Sequence, residues 1–170
     1  MRSADTTIDF DIDLAKSQSD KNPVFYVQYA HARACSIIRK AIENRIDIDN
    51  KTELVPLLTQ EEIDKFNNQP NILDMFENLS SESMEATKAL ILKMEEGKAL
   101  LANAVKYRAP YMLCKYLTEL ANSFHHFYNY TRVLSEDKKD SLMKLSLVNS
   151  FRIIMATMLN LIGVNPVEKM

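Results

Sequence analysis

An all-α fold is predicted by three features of the sequence. Its 170 residues include only two glycines, Gly97 and Gly163, and five prolines. Long runs combine Leu, Ile, Ala, Lys and Glu with nine methionines, a composition that favours helix over strand. Apolar residues recur at steps of three and four rather than alternating. With 46% hydrophobic content the chain is long enough for one core, or for one domain with an appendage.

The opening, MRSADTTIDFDIDLAKSQSDK, alternates apolar and acidic residues around Ile8, Phe10 and Ile12 and reads as that appendage. Asn22 then suits a helix N-cap and Pro23 the first helical position, where a missing N–H is harmless. The helix is expected to run to Asn44. At about 100° per residue it gathers Val27, Ala30, Ala34, Cys35, Ile38, Ala41 and Ile42 on one face, and Tyr29, Arg33, Ser36 and Lys40 on another. Residues 44–83 are acidic and contain Pro56 and Pro70, with Thr59 and Glu62 spaced as a capping box for a short helix over 59–67.

From Met84 the helical pattern is strong, carrying Leu90, Met94, Leu101, Ala104 and Val105, with Gly97 as a candidate break. Pro110 restarts the chain into a second core helix bearing Leu113, Tyr116, Leu117, Leu120, Phe124, Phe127 and Tyr128. Ser135, followed by Glu136 and Asp137, makes an N-cap and acidic first turn for a last helix that runs to Ile162 and stops at Gly163, with Pro166 beyond.

Several chemistries are excluded or unsupported. Two glycines cannot write a phosphate-binding loop or a dinucleotide fingerprint. Cys35 and Cys114 form no CxxC pair and suit a reducing setting. The run DFDID imitates the start of a calcium loop, but Leu14 and Asp20 stand where such a loop needs Gly and Glu. His125 and His126, adjacent on a helix, point about 100° apart, so one is expected to be packed and the other near the surface. His31 falls near the apolar face and is expected to be a buried, hydrogen-bonded structural residue. No hydrolase or metalloprotease motif occurs. No basic–apolar leader or run of about 18 apolar residues appears, so a cytoplasmic protein without a membrane span is expected.

The net charge of −2 conceals a division: residues 1–42 carry six basic and five acidic residues, 43–96 carry five and thirteen, and 97–170 carry ten and five. Local basic clusters therefore remain available for phosphate contacts. The Tyr29, Arg33, Ser36 and Lys40 face has two readings. Most such faces are simply solvated. The other reading is a ring that stacks on an unpaired base, with a guanidinium one turn away for phosphate or a base edge. A second basic stretch, Lys98, Lys106, Arg108 and Lys115, has no acid between Gly97 and Thr118. Two basic surfaces on one bundle fit an RNA-binding protein.

Three blocks then carry a resemblance. MRSADTTIDFDIDLAKSQSDKNPVFYVQYAHARACSIIRKA resembles the arginyl-tRNA synthetase segment that joins the catalytic domain to a DALR-type helical anticodon-binding domain. YLTELANSFHHFYNYTRVL and LVNSFRIIMATMLNLIGVNPVEKM resemble the same domain through to that family's C-terminus. The resemblance implies an anticodon-binding helical bundle over 22–170, with residues 1–21 as the tail end of the catalytic domain. It implies binding of arginine-specific tRNA by a monomer, with no role for DNA or membrane. The family's full-length enzyme attaches arginine to its tRNA using ATP, with magnesium. This chain has neither a HIGH-type motif nor a KMSK-type loop, so it is expected to be a C-terminal piece that holds no cofactor and does not aminoacylate alone. Tyr29 and Arg33 match the family's QYAHxR helix, whose tyrosine and arginine face the anticodon loop, and Met170 matches a terminal residue near that loop. Lys40, on the same face as Tyr29 and Arg33, completes the expected tRNA-binding set. Residues 44–83 are longer and more acidic than the family leads one to expect. The alternatives are a helical protein–protein interaction module, whose Tyr29 face docks a partner helix, and the similar domain of another synthetase such as the glycyl enzyme.

Overall fold

A computed structural model describes residues 11–19, 21–49, 79–135 and 138–170. The helices among them are α1 (Ile12–Lys16), α2 (Pro23–Asp49), α3 (Ser81–Lys106), α4 (Tyr111–Tyr130) and α5 (Lys138–Leu161). No strand occurs among the described residues, and none of their helices is long and apolar enough to cross a membrane. The expected helix over 59–67, and Ile8 and Phe10 of the appendage, lie outside the described residues.

The short lead-in is held by hydrogen-bond chemistry rather than by a core. Asp11 caps α1, its carboxylate accepting from the Leu14 N–H at 2.9 Å. Asn22 then does two jobs. Its Oδ1 accepts from the Val24 N–H at 3.1 Å, as an N-cap should, while its Nδ2 donates to the carbonyls of Ala15 and Ser17, both at 3.0 Å. One buried side chain thus starts α2 and fixes the approach of the residues before it.

α2 continues to Asp49, five residues beyond the expected Asn44; no Gly or Pro interrupts the chain between 42 and 49 to stop it. α3 starts at Ser81 rather than Met84, because Ser80 caps it by accepting from the Ser83 N–H at 3.2 Å. The described part of α5 begins at Lys138. Ahead of it the Ser135 hydroxyl donates to Asp140 at 2.9 Å, and the Ser135 backbone N–H donates to the Ser141 hydroxyl at 2.9 Å. Glu136 and Asp137 lie outside the described residues. At the far end of α5, Gly163 adopts φ 77 and the Val164 N–H reaches back to the Leu159 carbonyl at 3.0 Å, closing the helix with a left-handed residue that glycine tolerates.

The core lies where α4 packs against α2, α3 and α5, with α2 also lying on α5. Its centre is the stacked pair Phe124 and Phe151, with ring centroids 4.0 Å apart and planes 7° apart. Leu90, Tyr116, Leu117, Leu120, Phe127, Val148, Met155 and Leu159 are all buried around it, as are Val27, Ala30, Ala34, Cys35 and Ile38 of α2. Val105, placed on the apolar stripe of α3 by its spacing, is instead exposed, lying about 100° round the helix from its buried neighbour Ala104.

Gly97 does not break α3. It is buried in mid-helix at the crossing with α4, where the Tyr116 hydroxyl donates to the carbonyls of Lys93, at 2.9 Å, and Met94, at 3.4 Å. A Cβ at position 97 would lie 2.6 Å from the Tyr116 hydroxyl and 3.2 Å from its ring carbon Cζ. The glycine therefore serves close approach, and burial pushes the Tyr116 phenol up to about 12. Gly97→Ala should lose stability: overpacking costs about 1–3 kcal/mol and outweighs a helix-propensity gain of about 1 kcal/mol. Urea unfolding of Gly97→Ala, alone and with Tyr116→Phe, checks this; the loss should shrink in the double variant, and an unchanged midpoint for the single variant contradicts it.

Candidate functional site

The site is assembled on α2 from two stripes with opposite duties. Gln28, His31 and Arg39 lie close to one line along the helix, and each donates to a backbone carbonyl of the C-terminal tail. Gln28 Nε2 reaches Asn165 at 3.0 Å, His31 Nδ1 reaches Val167 at 2.8 Å and Arg39 Nη2 reaches Glu168 at 3.1 Å. A carbonyl only accepts, so His31 carries its proton on Nδ1. His31 is buried as expected. Cys35 lies beside it, its sulfur 3.8 Å from Nδ1, and burial pushes its thiol up, away from reactivity.

The tail so held forms one wall of a groove of about 1000 Å³. The second wall is α2, through Tyr29, Arg33, Ser36, Arg39 and Lys40, and the third is the end of α4 and the strap after it, through Tyr128, Asn129, Tyr130 and Arg132. All four residues expected from sequence, Tyr29, Arg33, Lys40 and Met170, line this one groove. Its lining includes Arg33, Arg39, Lys40, Arg132 and Lys169 against a single acid, Glu168, so its field favours an anion.

Arg33 is the fixed point. Its guanidinium carbon lies 5.3 Å from the centroid of Tyr29 and 4.5 Å from that of Tyr128, so the cation is held between two ring faces. Tyr29 is 36% exposed, enough to leave part of its ring to solvent, and it also stacks on Phe25 (6.4 Å, 7°) and on His125 (5.7 Å, 28°). Tyr29, Arg33 and Asn129 separate the groove from a smaller pocket of about 350 Å³ lined also by Gln18, Ser19, Phe25, Tyr26 and His125. Lys40 and Met170 are exposed at the groove.

His125 is half-buried and His126 exposed, the division expected of neighbours on a helix. The buried Nε2 of His125 has no hydrogen-bond partner among the described residues. Burial, and then the charge of Arg33, hold His125 below its usual 6.5. A neutral ring beside a fixed cation follows.

Sequence reasoning missed Arg39, Asn129, Arg132 and Lys169; Tyr128, expected along the core helix, packs against the core and lines the groove as well. Arg39 sits beside Lys40 in sequence but one turn-face away, and only the path of the tail shows its use. The second basic stretch, Lys98, Lys106, Arg108 and Lys115, does not line the groove; it lies around the α3–α4 turn, at the other end of α4.

The depressed His125 value sets a sign for stability. The unfolded chain takes up the proton near 6.5 and the folded chain only below that, so the contribution of neutral His125 is present above 6.5 and lost as pH falls through the depressed value. Unfolding free energy should therefore decline as pH drops below about 6.5, and His125→Phe should flatten that decline. Chemical denaturation across this range checks it; an equal decline in both proteins contradicts the assignment.

With this geometry in place, comparison with known proteins is direct. The DALR anticodon binding domain matches residues 27–170. The chain is 35% identical over 171 residues to arginine–tRNA ligase 1 of Halalkalibacterium halodurans, covering 100% of this chain and 26% of that protein. It is 36% identical over 170 residues to the arginine–tRNA ligase of Desulforamulus reducens, again covering 100% of this chain and 26% of that protein. Among solved structures it is similar to Thermus thermophilus arginyl-tRNA synthetase, with a TM-score of 0.64 and 30% identity over 96% of this chain and 24% of that one. The chain thus spans about a quarter of the length of these relatives. A helical bundle matched over all but its first 26 residues leaves one conclusion: this chain belongs to the DALR anticodon-binding domain family, in the form found in arginine–tRNA ligases.

Proposed function

We propose that the groove binds the anticodon loop of arginine-accepting tRNA, as the anticodon-binding part of an arginine–tRNA ligase. The observation that carries this reading is the guanidinium of Arg33 held between Tyr29 and Tyr128 in a groove rich in cations. An anticodon loop offers unpaired bases and closely spaced phosphates. Unpaired bases stack on rings and on guanidinium planes, and phosphates meet lysine and arginine.

In this reading Tyr29, which carries Arg33 over its ring and stacks on Phe25 and His125, holds the guanidinium in place and meets a base with the exposed edge of its ring. Arg33 loses little side-chain freedom on binding because two rings already fix it. Its N–H edges then address a base or a phosphate oxygen. Lys40, Arg132 and Lys169 supply charge along the groove, and the flexible thioether of Met170 packs on an apolar base face. Joining arginine to tRNA with ATP and magnesium belongs to other parts of such an enzyme, working as a monomer in the cytoplasm with no DNA or membrane partner; this chain supplies recognition. The division into residues 1–21 and 22–170 is part of the same proposal. The arginine–tRNA ligase relatives support arginine over glycine as the amino acid served, and nothing in the groove favours a partner helix over RNA.

The test is direct binding of arginine-accepting tRNA and a non-cognate tRNA at two salt concentrations. A stacked or charge-paired contact is worth about 1–3 kcal/mol, so Arg33→Ala should weaken the arginine tRNA by about tenfold or more. The preference for arginine tRNA should shrink with it, and affinity should fall as salt rises. Binding that ignores both Arg33→Ala and salt contradicts the reading.

A further inference from the structure

We propose that the corner between α3 and α4 is a second RNA contact, which binds backbone phosphates of the same tRNA without regard to sequence. This rests on the groove reading above and adds a surface to it.

The corner combines three observations. First, its charge has one sign: residues 98–117 hold Lys98, Lys106, Arg108 and Lys115 and no acid. Lys98, Lys106 and Arg108 have no carboxylate partner among the described residues, and the Lys115–Glu119 pair is long, at 3.7 Å, and exposed on both sides. Such a pair contributes little and is easily exchanged. Second, aromatic residues stand out between the cations. Tyr107 is 63% exposed and Tyr111 47% exposed, and the Lys106 ammonium lies 5.2 Å from the Tyr107 centroid. Basic groups interleaved with exposed rings are the composition of a nucleic-acid surface.

Third, Arg108 has a positive φ of 50, the only such value at a non-glycine among the described residues. Its N–H donates to the Val105 carbonyl at 3.2 Å, and the next N–H, of Ala109, donates to Ala104 at 2.9 Å, closing α3 with a left-handed residue. Glycine is the ordinary occupant of that position, because a Cβ there is strained. The exposed Arg108 side chain repays none of that strain with a hydrogen bond or ion pair among the described residues. Backbone strain of this kind gathers at ligand-binding positions. From Tyr111 to Tyr128, α4 rises by about 25 Å at 1.5 Å per residue, so corner and groove lie within reach of one folded RNA. An RNA whose loop occupies the groove has the duplex stem beside that loop to meet the corner.

Arg108→Gly isolates the contact, because glycine suits the local backbone. Its Tm should equal or exceed that of the parent chain. Its affinity for arginine-accepting tRNA should drop roughly fivefold near 0.1 M salt, with the slope of log affinity against log salt shallower by about 0.7–0.9, the release of one counterion fewer. A non-cognate tRNA should lose the same factor, since phosphate contacts carry no sequence. Arg33→Ala, measured in parallel, reports on the groove. Unchanged affinity and slope in Arg108→Gly, while the parent binds and Arg33→Ala weakens it, overturns the corner and leaves the groove reading standing. A loss confined to the arginine tRNA also overturns it, in favour of base reading. Failure of the parent to bind either tRNA overturns both.

Discussion

The groove depends on one constraint: the backbone carbonyls at the end of the chain must find donors, and α2 supplies them. Gln28, His31 and Arg39 each give one N–H to a tail carbonyl, spaced so that a single helix face does all three. A neutral bond of this kind is worth about 0.5–1.5 kcal/mol net and one from a charged donor about 1.5–3. Together they hold the tail within a range that ordinary substitutions can undo. Without them Glu168, Lys169 and Met170 would not stand opposite Arg132 and Tyr130, and the groove would lose a wall. His31 matters most among the three because it is buried; a substitution there leaves the Val167 carbonyl without its donor.

The opposite stripe of α2 carries the recognition chemistry, and its rings are arranged so that one cation stays fixed. Phe25, Tyr29 and His125 stack in succession, and Arg33 is clasped by Tyr29 and Tyr128. This depends on His125 remaining neutral, since a second charge beside Arg33 would repel it. Burial and Arg33 itself enforce that state. The buried Nε2 of His125, without a hydrogen-bond partner among the described residues, is the cost of the arrangement.

Much of this was legible in the sequence because helices announce their ends locally. Asn22 and Gly163 act where their chemistry indicated, and Tyr29, Arg33 and Lys40 share a face because helical spacing alone puts them there. Met170 came from family resemblance and could not have come from periodicity. What stayed hidden depends on contacts between distant segments. Gly97 looks like a helix breaker until Tyr116 is seen to need its space. Tyr128 packs against the core as its spacing indicates, and only the strap after α4 shows that it also lines a groove. Arg39 looks like one more solvated cation until the tail crosses it.

The central claim, that the tail and the Tyr29–Arg33 face form one tRNA-binding surface, is tested most directly by methyl NMR on the chain's own methionines. Met170 is exposed at the groove, whereas Met143, Met155 and Met158 are buried in the core. On titration with arginine-accepting tRNA, the Met170 methyl signal should shift and broaden while those three stay in place. A Met170 signal that stays fixed while the tRNA binds would contradict the account.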